Sequence, residues 1–213
     1  PSASGIIILQ EKERTMGKFV IKNNVIGMIG TNCYLVYDSE KRGAVLIDPA
    51  DNAGFLLNQC RELGLVPEAV LLTHGHFDHI GAVRELVRSF PMPVYAGRQE
   101  EKLLSDPQLN LSAAYGAPVT VKAPHLLDDG QEISLLGRKW KVIATPGHTE
   151  GSVCYYVEQE KALFSGDTLF CESYGRTDFP TGSGRALRDS VTEKLFVLPE
   201  DTIVYPGHEA QTD

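Results

Sequence analysis

Long apolar runs are missing from this 213-residue sequence. The longest near its start, Ile6-Ile7-Ile8-Leu9, is followed at once by the polar QEKER, which is too short for a signal core or a membrane span. Basic clusters are also missing. Lys and Arg number 20 against 28 Asp and Glu, a net charge of −8, which argues against a nucleic-acid backbone as partner. Only four cysteines occur (Cys33, Cys60, Cys154, Cys171), with no C-x-x-C pair, so free thiols in a reducing cytoplasm are expected rather than a disulfide scaffold or a thiolate metal site. No Pro/Gly/Ser-rich linker or low-complexity tract divides the chain. With 42% hydrophobic residues it holds enough apolar side chain for one domain. Met16 opens MGKFVIKNN like a natural start, so residues 1–15 are expected to be a leader or an artificial addition, with the domain over 16–213.

What is present is a rhythm. Short apolar segments at 18–21, 33–38, 43–48 and 69–73 read as strands, and helical spacing appears over 55–64 (closed by Gly64) and over 79–90 (closed by Pro91). The second half repeats the pattern. Strands are predicted at 139–145, 152–157, 162–167 and 202–207, with a helix over 184–198. Segment 97–125 reads as mixed helix and loop. Alternating strands and helices, occurring twice, indicate an α/β layered domain with two similar halves.

Histidine is scarce, with six in the chain, and five stand where a predicted strand runs out. His74, His76, Asp78 and His79 follow AVLLT. His148 follows KVIATPG, Asp167 ends ALFSGD, and His208 ends TIVYPGH. Side chains at strand ends are free to converge on one edge of a scaffold. Five imidazoles and two carboxylates without a thiolate suit a borderline divalent metal; zinc, iron and manganese all accept such ligands. The H-x-H step lets two imidazoles face one side of an extended turn, whereas Asp78 and His79 open a helix that directs them elsewhere. Two neighbouring subsites follow more naturally than one crowded site, and Asp167 is suited to bridging them. His125, in APHLLDDG, falls outside the pattern and reads as an ordinary loop histidine. Gly147 and Gly207, each just before a motif histidine, read as turn formers.

THGHFDH (73–79), TPGHT (145–149), GDTLF (166–170) and YPGH (205–208) together resemble the metallo-β-lactamase superfamily, whose fold is a four-layer αββα sandwich. GRTDFP (175–180) and LPEDTIVYPGHE (198–209) resemble its glyoxalase II-like hydrolases. The resemblance runs from about Met16 nearly to the end. It implies a first metal on His74, His76 and His148, a second on Asp78, His79 and His208, and a bridging Asp167. Asp78 and Asp167 are then the carboxylates nearest the chemistry. The implied reaction is hydrolysis of a small acyl thioester such as a hydroxyacylglutathione, by a water activated between two divalent cations, zinc foremost.

Three departures from that group stand out. A helical C-terminal domain that helps hold glutathione is expected to be absent, because the chain ends five residues after His208. Arg176 and Asp178 stand where the group places a lysine and a tyrosine, and Ala210 where it places a second tyrosine. Arg176 and Tyr174 are the candidate substrate contacts, Tyr174 either lining the pocket or simply capping the fold. Arg176 suits a carboxylate through bidentate bonding, or simply an ion pair with Asp178 or Glu172. The alternatives are a mononuclear-iron persulfide dioxygenase, a related family sharing GRTDF whose ligands correspond to His76, His148 and Asp167, and a lactonase or other ester hydrolase of the same superfamily.

Overall fold

The computed structural model describes residues 17–123 and 125–212; the expected leader, residues 1–15, lies outside the described residues. Strands β1 (Phe19–Ile26), β2 (Thr31–Asp38), β3 (Gly43–Ile47), β4 (Val66–Leu71), β5 (Val94–Gly97) and β6 (His125–Leu127) form one sheet in chain order. The second sheet takes β7 (Glu132–Leu135), β8 (Arg138–Ala144), β9 (Val153–Val157) and β10 (Ala162–Gly166). A two-stranded hairpin of β11 (Leu169–Phe170) and β12 (Ser173–Tyr174) follows, and β13 (Ile203–Pro206) then returns to pair in parallel with β10. Each half of the chain therefore supplies one sheet.

The near-continuous burial of the central strands comes from having both faces covered. Along β2, Cys33 and Leu35 point into one core while Tyr34 and Val36 point into another; β3 divides Ala44 and Leu46 from Val45 and Ile47 in the same way. The first set packs under α1 (Ala53–Glu62), α3 (Val83–Ser89) and α4 (Glu101–Ser105) through Leu56, Leu86 and Leu104. The second set meets Trp140, Tyr155 and Phe164 of the opposing sheet. Trp140 is fully buried, stacks on Phe164 at 5.6 Å, and donates its indole N–H to the Leu135 carbonyl at 3.1 Å. The outer face of the second sheet (Cys154, Tyr156, Leu163) packs against Val191 and Leu195, beyond α5 (Gly184–Ser190). Helices, sheet, sheet, helices: this is the αββα sandwich expected from the resemblance.

Every predicted strand is present within a few residues, and α1 ends one residue before a C-cap at Leu63, with Gly64 at φ +66°. Three expectations are corrected. The helix over 79–90 is two pieces, α2 (Phe77–Ile80) and α3, because Gly81 sits against the Ala50 carbonyl; a Cβ there would lie 2.2 Å from that oxygen. The helix over 184–198 stays α-helical only to Ser190, then widens into a π-helical turn over Val191–Leu195, where Thr192 Oγ1 donates back to the Arg188 carbonyl at 2.9 Å. His125 is not in a loop. It begins β6 on the sheet edge, and its ring packs 4.9 Å from that of Tyr95.

Candidate metal centre

The strands deliver their C-terminal residues to one end of the sandwich. Asp48 follows β3, Thr73, His74 and His76 follow β4, His148 follows β8, Asp167 follows β10, and His208 follows β13. Backbone bonds lock these exits together: Val153 N donates to the Thr73 carbonyl at 2.8 Å, Gly207 N to that of Gly166 at 2.8 Å, and Asn32 N to that of Gly207 at 2.7 Å.

Of three groups of candidate ligand atoms whose members lie within 4.8 Å of one another, two consist of residues named from the sequence: His74, His76 and His148, and then Asp78, His79 and His208. Asp167 lies between them. Its Oδ1 is 3.4 Å from His79 Nε2, while its Oδ2 is 3.5 Å from His148 Nε2 and 3.6 Å from His208 Nε2. All seven residues named from the sequence are thus brought together. His148 is oriented by donating Nδ1–H to the Arg176 carbonyl at 2.8 Å, which leaves Nε2 facing the cluster.

Glycine makes the close packing possible in two ways. Gly147 is the expected turn former, at φ +143°, and a Cβ there would meet the Leu187 backbone at 2.2 Å. Gly207 is needed for room: a Cβ would lie 2.2 Å from Asp167 Oδ1 and 2.8 Å from His79 Cε1.

Two buried acids had no sequence signal. Asp48 is 2% exposed, accepts from Thr73 N at 2.8 Å and Thr73 Oγ1 at 2.6 Å, and holds His79 Nδ1 at 3.0 Å, so that Nε2 of His79 turns toward the cluster. Asp48 also groups with His74 and His79, but its bond to the rear nitrogen of His79 makes it an orienting residue. Glu100, fully buried, accepts from Gly75 N at 2.8 Å and Thr149 Oγ1 at 3.0 Å, joining the loop of His74 and His76 to that of His148. A lone acid at the end of an apolar strand or in a short helical turn makes no pattern, which is why neither stands out.

The donor set fits divalent metal. His74 Nε2, His76 Nε2, His79 Nε2 and Asp167 Oδ1 are buried without a hydrogen-bond partner, a penalty of about 1–3 kcal/mol per group that a cation removes. The electrostatics agree. Burial, then the neighbouring His79, holds His74 well below the usual imidazole value, and burial with His148 pushes His76 down to about 3. Both are therefore neutral, as ligands must be. Burial opposes charge on Asp78 and His79 as well, but the pair and their neighbours win: Asp78 falls below the usual carboxylate range, and Asp78, Asp167 and Asp48 raise His79. The site holds fixed negative charge that a cation answers.

A cleft of about 450 Å³ opens onto the cluster. Arg176 lines it, with its guanidinium paired to Asp178 at 2.7 and 2.6 Å and lying 3.9 Å from the Phe179 ring centroid. Tyr174 does not line it. In the β11–β12 hairpin its side chain is 70% exposed and borders a separate groove with Leu163, Val191 and Phe196, so its place as a candidate substrate contact is corrected.

Residues 26–208 match the metallo-beta-lactamase superfamily, and the chain belongs to that family. It is 39% identical over 190 residues to a probable metallo-hydrolase, YqgX, of Bacillus subtilis, covering 88% of this chain and 89% of that one. It is 34% identical over 184 residues to the hydroxyacylglutathione hydrolase GloC of Haemophilus influenzae, covering 85% and 86%. Among solved structures it is similar to the BLEG-1 B3 metallo-beta-lactamase (TM-score 0.86, 42% identity, 91% and 93% covered). It is also similar to TTHA1623 in a di-iron-bound form (TM-score 0.79, 37% identity, 90% and 93% covered). The chain is a metallo-hydrolase-family enzyme domain, and no helix among its described residues is long and apolar enough to cross a membrane.

Proposed function

We propose that the protein is a binuclear metallohydrolase of small acyl thioesters, acting in the cytoplasm with two divalent cations, zinc foremost. The observation that carries this reading is the pair of intact ligand groups with Asp167 between them. His74, His76 and His148 would hold one cation, Asp78, His79 and His208 the other, and Asp167 would bridge. The similarity to a hydroxyacylglutathione hydrolase supports the thioester class. The four free cysteines suit a reducing compartment.

When bound, two cations supply Lewis acidity, making water nucleophilic near neutral pH and offsetting charge on an acyl oxygen. The chain's own contribution is placement. Asp48 and the Arg176 carbonyl fix the rings of His79 and His148, and Glu100 fixes the loop of His74 and His76 relative to that of His148. Phe77, Phe179 and Leu111 border the cleft and limit bulk water around the acyl group. Water oxygen bonds to the acyl carbon, the carbon–sulfur bond breaks, and the products are a carboxylic acid and a thiol. A thiolate leaves readily, so no strong general acid is required, and the cleft lining includes none beyond the ligand set.

The mononuclear dioxygenase reading needs only His76, His148 and Asp167, and leaves Asp78, His79 and His208 without a role. Turnover of S-lactoylglutathione by metal-loaded protein, lost in Asp167→Ala, tests the proposal; unchanged turnover in that variant would sink it.

A further inference from the structure

The active-site cleft does not end at Tyr115. That ring stacks on Phe77, at 4.1 Å between centroids and 24° between planes, and both residues, with Asp78, border a second groove of about 430 Å³. The shared wall stays apolar and open to solvent: Ile29 is 47% exposed on the cleft side, Met28 77% on the far side, and Tyr115 49% between them. Exposed apolar side chains adjoining a cluster of candidate metal ligands mark a surface for ligand rather than for core.

Two arginines border these spaces, and they differ. Arg176, in the cleft, is bound at two points to Asp178 and covered by Phe179, so its charge is already answered. Arg84 borders the second groove, is exposed, and has no hydrogen-bond or ion-pair partner among the described residues. Of the two carboxylates bordering this groove, Asp78 belongs to the ligand set and Asp51 accepts from Asn52 N at 2.6 Å. Arg84 follows Phe77 by seven residues along a mostly helical path, a rise of roughly 10 Å.

We infer that the second groove holds the thiol carrier of the substrate: an uncharged arm crossing the Phe77–Tyr115 stack and ending in an anion at Arg84. This rests on the thioesterase reading and refines its substrate class. A carrier with a long neutral arm and a single distant anion fits this surface better than glutathione, whose charged groups sit at both ends of a tripeptide with the thiol between them. Cleavage is the hydrolysis already described, with the carrier leaving as its free thiol.

The test compares S-acetyl-4′-phosphopantetheine with S-acetyl-pantetheine, which lacks only the phosphate, on the metal-loaded enzyme. The expected kcat/KM ratio is about tenfold in favour of the phosphorylated probe, the effect of one bidentate arginine–anion pair. Arg84→Ala should bring that ratio toward one through KM, while Arg88→Ala, exposed on the same helix and bordering neither groove, should keep it. A ratio near one in the wild type, or an unchanged ratio in Arg84→Ala, overturns the inference; if S-lactoylglutathione is still cleaved, the hydrolase reading survives. Should no thioester be cleaved, that reading falls and calorimetric titration with 4′-phosphopantetheine decides the groove. Weaker binding in Arg84→Ala then sustains the inference, and equal binding overturns it.

Discussion

Asp48 Oδ2 lies 3.0 Å from His79 Nδ1, with both side chains buried, while the opposite nitrogen of that imidazole faces Asp78 at 3.2 Å and Asp167 at 3.4 Å. One carboxylate thereby decides which face of His79 is offered to a cation. Its own position is set by Thr73, one residue before His74. The two subsites are linked through a residue that touches neither cleft nor substrate.

Replacing Asp48 with asparagine should therefore weaken metal binding by about 10–100-fold, the usual effect of losing an orienting partner. Competition with a chromophoric chelator measures it. The stronger loss is expected in one of the two sites, since His79 belongs to the group with Asp78 and His208. Equal affinity in Asp48→Asn would show that His79 is held by packing alone.

Glu100 gives a pH signature. Burial is the largest influence on it, and outweighs the bonds from Gly75, Thr149 and Gly151, so its carboxyl is pushed up from 4.5 to about 7. The folded state then holds a proton that the unfolded state has lost between those values. The contribution is fully present below about pH 4.5 and is lost as pH rises through about 7, amounting to about 3 kcal/mol. Urea midpoints should show Glu100→Gln gaining on the wild type as pH rises from 5 to 8. A constant difference across that range would contradict the assignment.

Gly207→Ala probes crowding in the centre. The added methyl must displace Asp167 or His79, and a shift of about 1 Å costs about 100-fold in rate when it moves a reacting group. Activity and metal content should fall together in a protein that keeps its far-ultraviolet circular dichroism. Full activity would mean that the Asp167 position tolerates movement.

Metal removal should destabilise the fold. The buried Nε2 atoms of His74 and His76 have no hydrogen-bond partner, and a cation would supply one. A site saturated at 100 times its dissociation constant adds about 2.7 kcal/mol. The melting temperature should therefore drop on dialysis against chelator and recover on adding zinc. An unchanged melting temperature would contradict the fit of these donors to metal.

The central chemistry was legible because imidazole is rare and its spacing is informative. His74, His76 and His79 could be separated into two groups by the helix start between His76 and Asp78, and α2 does begin at Phe77. The inner strands were legible because burial on both faces leaves unbroken apolar runs. The short strands β5, β6 and β7 were not, since their burial is mixed and three or four residues carry little periodicity. The break at Gly81 depends on the Ala50 carbonyl, 31 residues away, and no local pattern encodes it. Asp48 and Glu100 act through contacts made only once the loops meet. Which of its two readings Tyr174 takes is decided by the β11–β12 hairpin, which sets it at a groove separate from the cleft.

The claim of a binuclear thioesterase is tested most directly by one paired measurement: metal content per chain by elemental analysis, alongside S-lactoylglutathione hydrolysis and oxygen uptake on glutathione persulfide. The account predicts two metals per chain with thioester hydrolysis and no oxygen uptake. One iron per chain with oxygen consumption would contradict it.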